Sequence, residues 1–341
     1  MRNAPPLVRA LTDPATTDGF APDDWTALLS IARAERLIGS LAVRLAGRGL
    51  PAPVMEALEA ARVQTAFDHV QARWEVELTR RLLAPLGIRP ILLKGSAFVV
   101  GNLTAGEGRA VGDLDILLPA DQLNTAEAAL LVSGYEWAKD DPYTQSYYRR
   151  WMHELPPLIH ADRGTMIDVH HTILPLTARP TPVAAALVAD AVDIGSGLAM
   201  LSPADMIVHA ACHLIADGDL AGGLRNLWDI DRLVRDFSAQ ADFWPKLAER
   251  SALHQMREPL ARALRLTHRL YETPIDRRLA GPDRASDALF VRRLLSRDVW
   301  GRQTNAGTRL AFYIRSHWMR MPPLMLARHL WIKARGVPAS E

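Results

Sequence analysis

The chain has 341 residues, 49% of them hydrophobic and 23% charged, with a formal net charge of +2. That is ordinary globular composition, enough for a sizeable core and two or three structural units. No lysine-rich tail of the kind that coats nucleic acid is present, and nucleic acid is not expected as a partner.

A single cysteine, Cys212, excludes an internal disulfide and fits a reducing compartment. The N-terminal stretch MRNAPPLVRALTDPATTDGF has no continuous apolar run of signal-peptide length. No window approaches the roughly 18 uninterrupted apolar residues that a membrane span needs. The expectation is a cytoplasmic protein without a transmembrane segment.

From Pro22 to Pro85 apolar residues recur at helical spacing. WTALLSIARAERLIGSLAVRLAG reads as one amphipathic helix, and VMEALEAARVQTAFDHVQARWEVELTRRLL, after Pro51, as a second and longer one. The pattern then changes. IRPILLKG is short and strand-like, SAFVVGNL predicts a short helix, and GDLDILL predicts a strand. PADQLNTAEAALLVSGY opens with Pro119 and closes at Gly134, which predicts a helix. In YYRRWMHELPPLIHADRGTMIDVHHTIL, Asp162-Arg163-Gly164 makes a turn between two extended segments, an antiparallel hairpin. Beyond Pro203 helical spacing returns near 204–216, 222–238, 242–253, 255–271, 285–298 and 321–335. The C-terminal RSHWMRMPPLMLARHLWIKARG is basic and rich in Trp, Met and Leu. It predicts a packing element with a basic rim, a membrane-surface or acceptor-docking helix being the alternative. The expected class is α+β, with a β-rich core over 88–200 between helical regions at 1–87 and 201–341.

Chemistry is concentrated in that centre. Side chains alternate along a strand, so Asp113 and Asp115 share one face while Leu114 and Ile116 enter the core. Two carboxylates about 7 Å apart on one face can hold a hard divalent cation through oxygen ligands. Mg²⁺ takes one or two protein carboxylates and fills its other positions with water and substrate phosphates. A second metal, about 4 Å away, needs another carboxylate. TMIDVHH offers one: Asp168 interrupts an apolar strand between Ile167 and Val169, and His170 shares its face as a substrate group or an exposed polar residue. Three such aspartates would clamp a metal–triphosphate complex, with Asp168 also able to receive a proton from an attacking hydroxyl. Gly95 and Ser96 follow a strand and open a helix, so their amides and the serine hydroxyl could face phosphate oxygens. Lys94 and Arg109 are cations near the same place.

Other motifs are weaker. His209, Cys212 and His213 have the i, i+3, i+4 spacing that can present metal ligands, but no glutamate between the histidines completes a zinc site. A packed or substrate-adjacent role is the expectation for His209 and His213. Gly101 to Gly108 is not a dinucleotide fingerprint, and DGDLAGG lacks the further ligands of a calcium loop. Arg225 and Asp229 lie one helical turn apart and read equally as a surface ion pair.

LLKGSAF, the Arg109-containing stretch before GDLDILL, the helix ending in SGYEW, and IDVHHTIL together resemble the DNA polymerase β-like nucleotidyltransferase superfamily. Within it the chain looks most like the bacterial uncharacterised nucleotidyltransferases (the NTP_transf_5 type). The likeness covers roughly Ile88 to Val234, including DMIVHAACHLIADGDLAGGLRNLWDIDRLV. The connection from Ser96 to Asp113 is longer than is common in the superfamily. The resemblance implies a small mixed sheet and transfer of a nucleoside monophosphate from an NTP, with Mg²⁺ or Mn²⁺ as cofactor. It implies that Asp113 and Asp115 carry metal, that Asp168 completes the triad, and that Gly95 and Ser96 approach phosphates. It extends to Arg225 and Asp229 as nucleotide-contacting or supporting groups. The gene neighbourhoods of such proteins point to a peptide or sugar acceptor. Two other classes stay open: a non-catalytic nucleotide-binding or antitoxin-like relative, and a two-metal phosphohydrolase. The latter explains the Gly-Ser element less well.

Overall fold

The computed structural model describes residues 4–320 together with Leu326 and Trp331. Four helices come first: α1 (Pro5–Thr12), α2 (Pro22–Ala34), α3 (Ile38–Arg44) and the long α4 (Ala52–Leu83). The mixed centre follows in the order β1 (Ile91–Leu92), α5 (Lys94–Val100), β2 (Asp113–Leu117), α6 (Leu123–Val132), β3 (Tyr135–Trp137), α7 (Pro142–Trp151), β4 (Leu158–His160), β5 (Met166–His170), α8 (Ala184–Ala189), β6 (Val192–Gly195) and β7 (Leu198–Met200). The remainder is helical: α9 (Pro203–Ala211), α10 (Gly223–Phe237), α11 (Phe243–Leu253), α12 (Arg257–Tyr271), α13 (Arg277–Ala280), α14 (Asp287–Leu294) and α15 (Ala306–Arg320).

Among the described residues the strands form one seven-stranded mixed sheet in the order β3-β4-β5-β2-β1-β7-β6. The protein is therefore α+β, as its patterning and the resemblance imply. The stretches that carry the aspartates lie at the middle of the sheet. Strand β2 pairs parallel with β5 and antiparallel with β1, and the expected hairpin about Asp162-Arg163-Gly164 joins β4 to β5. One apolar cluster runs from Ala4 through the sheet to Phe312, so the outer helices and the sheet share a core. No described helix is long and apolar enough to cross a membrane.

The expected single helix through WTALLSIARAERLIGSLAVRLAG is broken into α2 and α3, with Arg36 at φ 55°. The cause is tertiary. Glu35 is 2% exposed, accepts from Arg297 Nε at 2.6 Å and from the Leu224 amide at 3.2 Å, and so turns the chain where the helix would have continued. The extended reading of YYRRW is also corrected: these residues lie in α7, which Pro142 opens and the Asp141 carboxylate caps through the Thr144 amide. The apolar pattern does not signal α1, α13, α15 or the β6–β7 hairpin. The helix expected over 321–335 lies outside the described residues, apart from Leu326 and Trp331.

The loop from Gly101 to Gly112 is pressed against α3. A Cβ on Gly108, whose φ is +65°, would lie 2.4 Å from the Gly39 backbone, so only glycine serves there. Replacing Arg297 with Met would leave the Glu35 charge buried and unpaired. Denaturant unfolding should show a loss of about 3 kcal/mol, and an unchanged midpoint would contradict this account of the helix break.

Candidate active site

Because β2 and β5 run parallel with Asp115 opposite Asp168, the carboxylates of two strands come side by side. Oxygens of Asp113, Asp115 and Asp168 all lie within 4.8 Å of one another. Their surroundings differ. Asp113 is exposed, Asp115 is 2% exposed, and Asp168 is half-buried with its Oδ1 enclosed and without a hydrogen-bond partner.

Asp115 is tied down on both sides. Its Oδ1 receives Lys94 Nζ at 2.6 Å and His170 Nε2–H at 2.9 Å. Burial works to raise this carboxyl, but the Lys94 charge and the His170 hydrogen bond outweigh it and hold it well below the usual carboxylate range. Lys94 is pushed down by burial and more than restored by Asp115. His170 is wholly buried, and that burial lowers its pKa despite the Asp115 contact, which fits a neutral ring with its proton on Nε2. Asp168 has no such cation at bonding distance. Burial, with the Asp115 and Asp113 charges beside it, pushes it up from 3.8 to about 7.

A cavity of about 390 Å³ opens beside Asp113 and Asp115. Lys94, Gly95, Arg109, Arg225, Asp229, His209 and His213 line it, whereas Ser96, Asp168 and His170 do not. Arg109 is 7% exposed, donates from Nε to Asp229 Oδ2 at 3.1 Å, and stands 5.3 Å from the Phe98 ring. Gly95 makes room for it: a Cβ there would meet Arg109 Nη1 at 1.9 Å. Arg225 donates to the Ala110 carbonyl at 3.1 Å and sits 3.9 Å from Asp229, so this pair is part of the cavity wall, not a surface pair. Burial, and then the Arg109 charge, lower Arg225 to about 10.

Ser96 is turned inward. Its hydroxyl donates to the Asp113 carbonyl at 3.3 Å, bracing β2. The Cys212 thiol donates to the Ile173 carbonyl at 3.4 Å. Burial, followed by the Lys94 charge, holds His209 well below the ordinary histidine range.

Four participants had not been singled out. Arg36 reaches the cavity from the break between α2 and α3, and Asn226 from α10. His153 and Glu154 lie beside His170, with Glu154 Oε2 3.4 Å from His170 Nε2 and the imidazoles of His153 and His170 5.2 Å apart. A single polar residue in a helix break or on a helix carries no periodic signal of its own; only the φ of 55° at Arg36 is distinctive, and that is visible in the fold alone.

Residues 21–272 match the profile of a family described as uncharacterised nucleotidyltransferases. The chain belongs to this nucleotidyltransferase family. The match extends beyond the motif-bearing centre to α2–α4 and α9–α12, the helices that supply Arg36, Arg225 and Asp229. No curated protein matches the chain.

The carboxylate cluster stores an electrostatic cost that pH exposes. Folded Asp168 holds its proton to about pH 7 against 3.8 ordinarily, so the native state binds the extra proton between those values. Stability of the metal-free protein therefore falls as pH rises through that window. Asp168→Asn should raise the melting temperature at pH 8 by several degrees, with the advantage disappearing towards pH 4. A variant no more stable than the parent at pH 8 would contradict it. Asp115→Asn should behave oppositely, losing about 2 kcal/mol in denaturant unfolding because half-buried Lys94 loses its carboxylate partner.

Proposed function

We propose that the protein is a metal-dependent nucleotidyltransferase that moves a nucleoside monophosphate from an NTP to a hydroxyl or similar acceptor. The acceptor would be a small molecule, a peptide natural product, a protein or a sugar. The observation that carries the reading is the convergence of three carboxylates from two adjacent strands, two of which line a cavity that also holds Arg36, Lys94, Arg109 and Arg225.

The donor set fits a hard divalent ion: it is all oxygen, one buried oxygen has no partner, and the charges repel one another without a cation. Asp113, Asp115 and Asp168 would hold Mg²⁺ or Mn²⁺, which when bound supplies charge neutralisation at the triphosphate. Lys94, Arg109, Arg225 and Arg36 surround the adjoining space and would offset the remaining phosphate charge. Asp168, whose enclosed Oδ1 has no hydrogen-bond partner, is the carboxylate that would accept the acceptor's proton. In the proposed step the acceptor oxygen forms a bond to the α-phosphorus and its proton passes to Asp168. The α–β phosphoanhydride bond breaks, and pyrophosphate leaves toward the arginines. Ser96 keeps β2 in position through the Asp113 carbonyl, while His170 and Lys94 orient Asp115. His209 and His213, which also line the cavity, would meet the nucleotide or acceptor.

The Lys94–Asp115 ion pair favours one alternative, because it occupies an oxygen otherwise open to a metal. That alternative is a non-catalytic nucleotide-binding or antitoxin-like relative. Calorimetry with Mg²⁺ and NTP, paired with pyrophosphate release in cell extract, separates the two. Asp113 is the better probe, since its carboxylate is exposed and its loss spares the buried pair. Asp113→Asn should keep the parental melting temperature and lower pyrophosphate release at least about 100-fold. Nucleotide binding with no turnover in the parent protein would favour the alternative.

A further inference from the structure

The outward face of α4 is the least explained surface of the molecule. Val63, Phe67, Val70 and Trp74 are 59%, 62%, 68% and 56% exposed, although residues of this size are normally covered. Their spacing of four, three and four places them in one narrow stripe along the helix, the seam of a two-helix contact. Glu56 and Arg81, both exposed, continue the same line at its two ends. From Glu56 to Arg81 the stripe is about 38 Å long at 1.5 Å per residue.

The inner face of the same helix is already engaged. Thr65 lies against Gly39, His69 Nε2 meets the Arg109 carbonyl at 2.8 Å, and Arg73 donates to the Val99 carbonyl at 2.7 Å. The apolar stripe therefore points away from the elements that hold the cavity loop.

We propose that this stripe joins two copies of the chain through antiparallel α4 helices. The argument is self-complementarity about a point between Asp68 and His69. A two-fold axis there sets Phe67 of one copy against Val70 of the other, and Val63 against Trp74. The same axis brings Glu56 of each copy to Arg81 of the other, a guanidinium that on its own helix already pairs with Glu77 at 2.6 Å. Parallel pairing would set Glu56 on Glu56 and Arg81 on Arg81, and would align the helix dipoles. The charges thus select one arrangement. A second copy of this chain is the occupant that matches the stripe end to end.

The test is the mass in solution, by sedimentation velocity at about 50 μM, a concentration that populates even a micromolar dimer. The full-length protein should sediment at twice its 37.7 kDa chain mass. Phe67→Glu and Trp74→Glu should each give a monomer with an unchanged circular dichroism spectrum and melting behaviour at matched low concentration. Glu56→Arg and Arg81→Glu should each weaken the dimer about tenfold, since each change sets two like-charge contacts, and together they should restore it. A monomeric parent protein would overturn the proposal, as would a dimer indifferent to Phe67→Glu. A double charge reversal as weak as either single change would overturn the antiparallel register.

Discussion

Asp115 keeps its charge at 2% exposure, and the cost of doing so organises the centre of the molecule. An unpaired buried carboxylate would neutralise itself, so the strand needs cationic or donor groups at fixed positions. Lys94 supplies one from the start of α5 and His170 supplies the other from β5. The consequence is that the short helix after β1 and the strand beyond β2 are locked to the same oxygen. Asp168 inherits the opposite condition. It lies beside a carboxylate that cannot release its charge, which leaves Asp168 as the group able to gain and lose a proton.

A second ionic connection carries this arrangement into the helical regions. Arg109 and Asp229 link the loop before β2 to α10, and Arg225 fastens the same loop through the Ala110 carbonyl. His69 on α4 takes the other side of that loop. Glu35 then ties the break between α2 and α3 to Arg297 and to the start of α10. The cavity is consequently a joint product of the sheet and helices distant in sequence, and the family profile spans those helices as well as the motifs.

Much of the centre was legible in the residues. Acids interrupting apolar strands at Asp113, Asp115 and Asp168 announced one shared face, because strand alternation is a local rule. The turn at Asp162-Arg163-Gly164 was legible for the same reason, its signal lying within three residues. What escaped was decided by partners far along the chain. The apolar periodicity through Glu35 is continuous, and its buried contacts with Arg297 and the Leu224 amide, far along the chain, break it. Ser96 looked like a phosphate donor by position, yet its hydroxyl serves the Asp113 carbonyl. Spacing left Arg225 and Asp229 even between a surface pair and nucleotide-contacting groups, and burial beside Arg109 could not be read from it.

A crystal structure with Mn²⁺ and a non-hydrolysable NTP tests the central claim most directly, because manganese is located by its anomalous signal. The account predicts a peak bounded by carboxylate oxygens of Asp113, Asp115 and Asp168, with the polyphosphate extending toward Lys94 and Arg109. A peak elsewhere, or a nucleotide bound outside this cavity with the three aspartates unchanged, would contradict it.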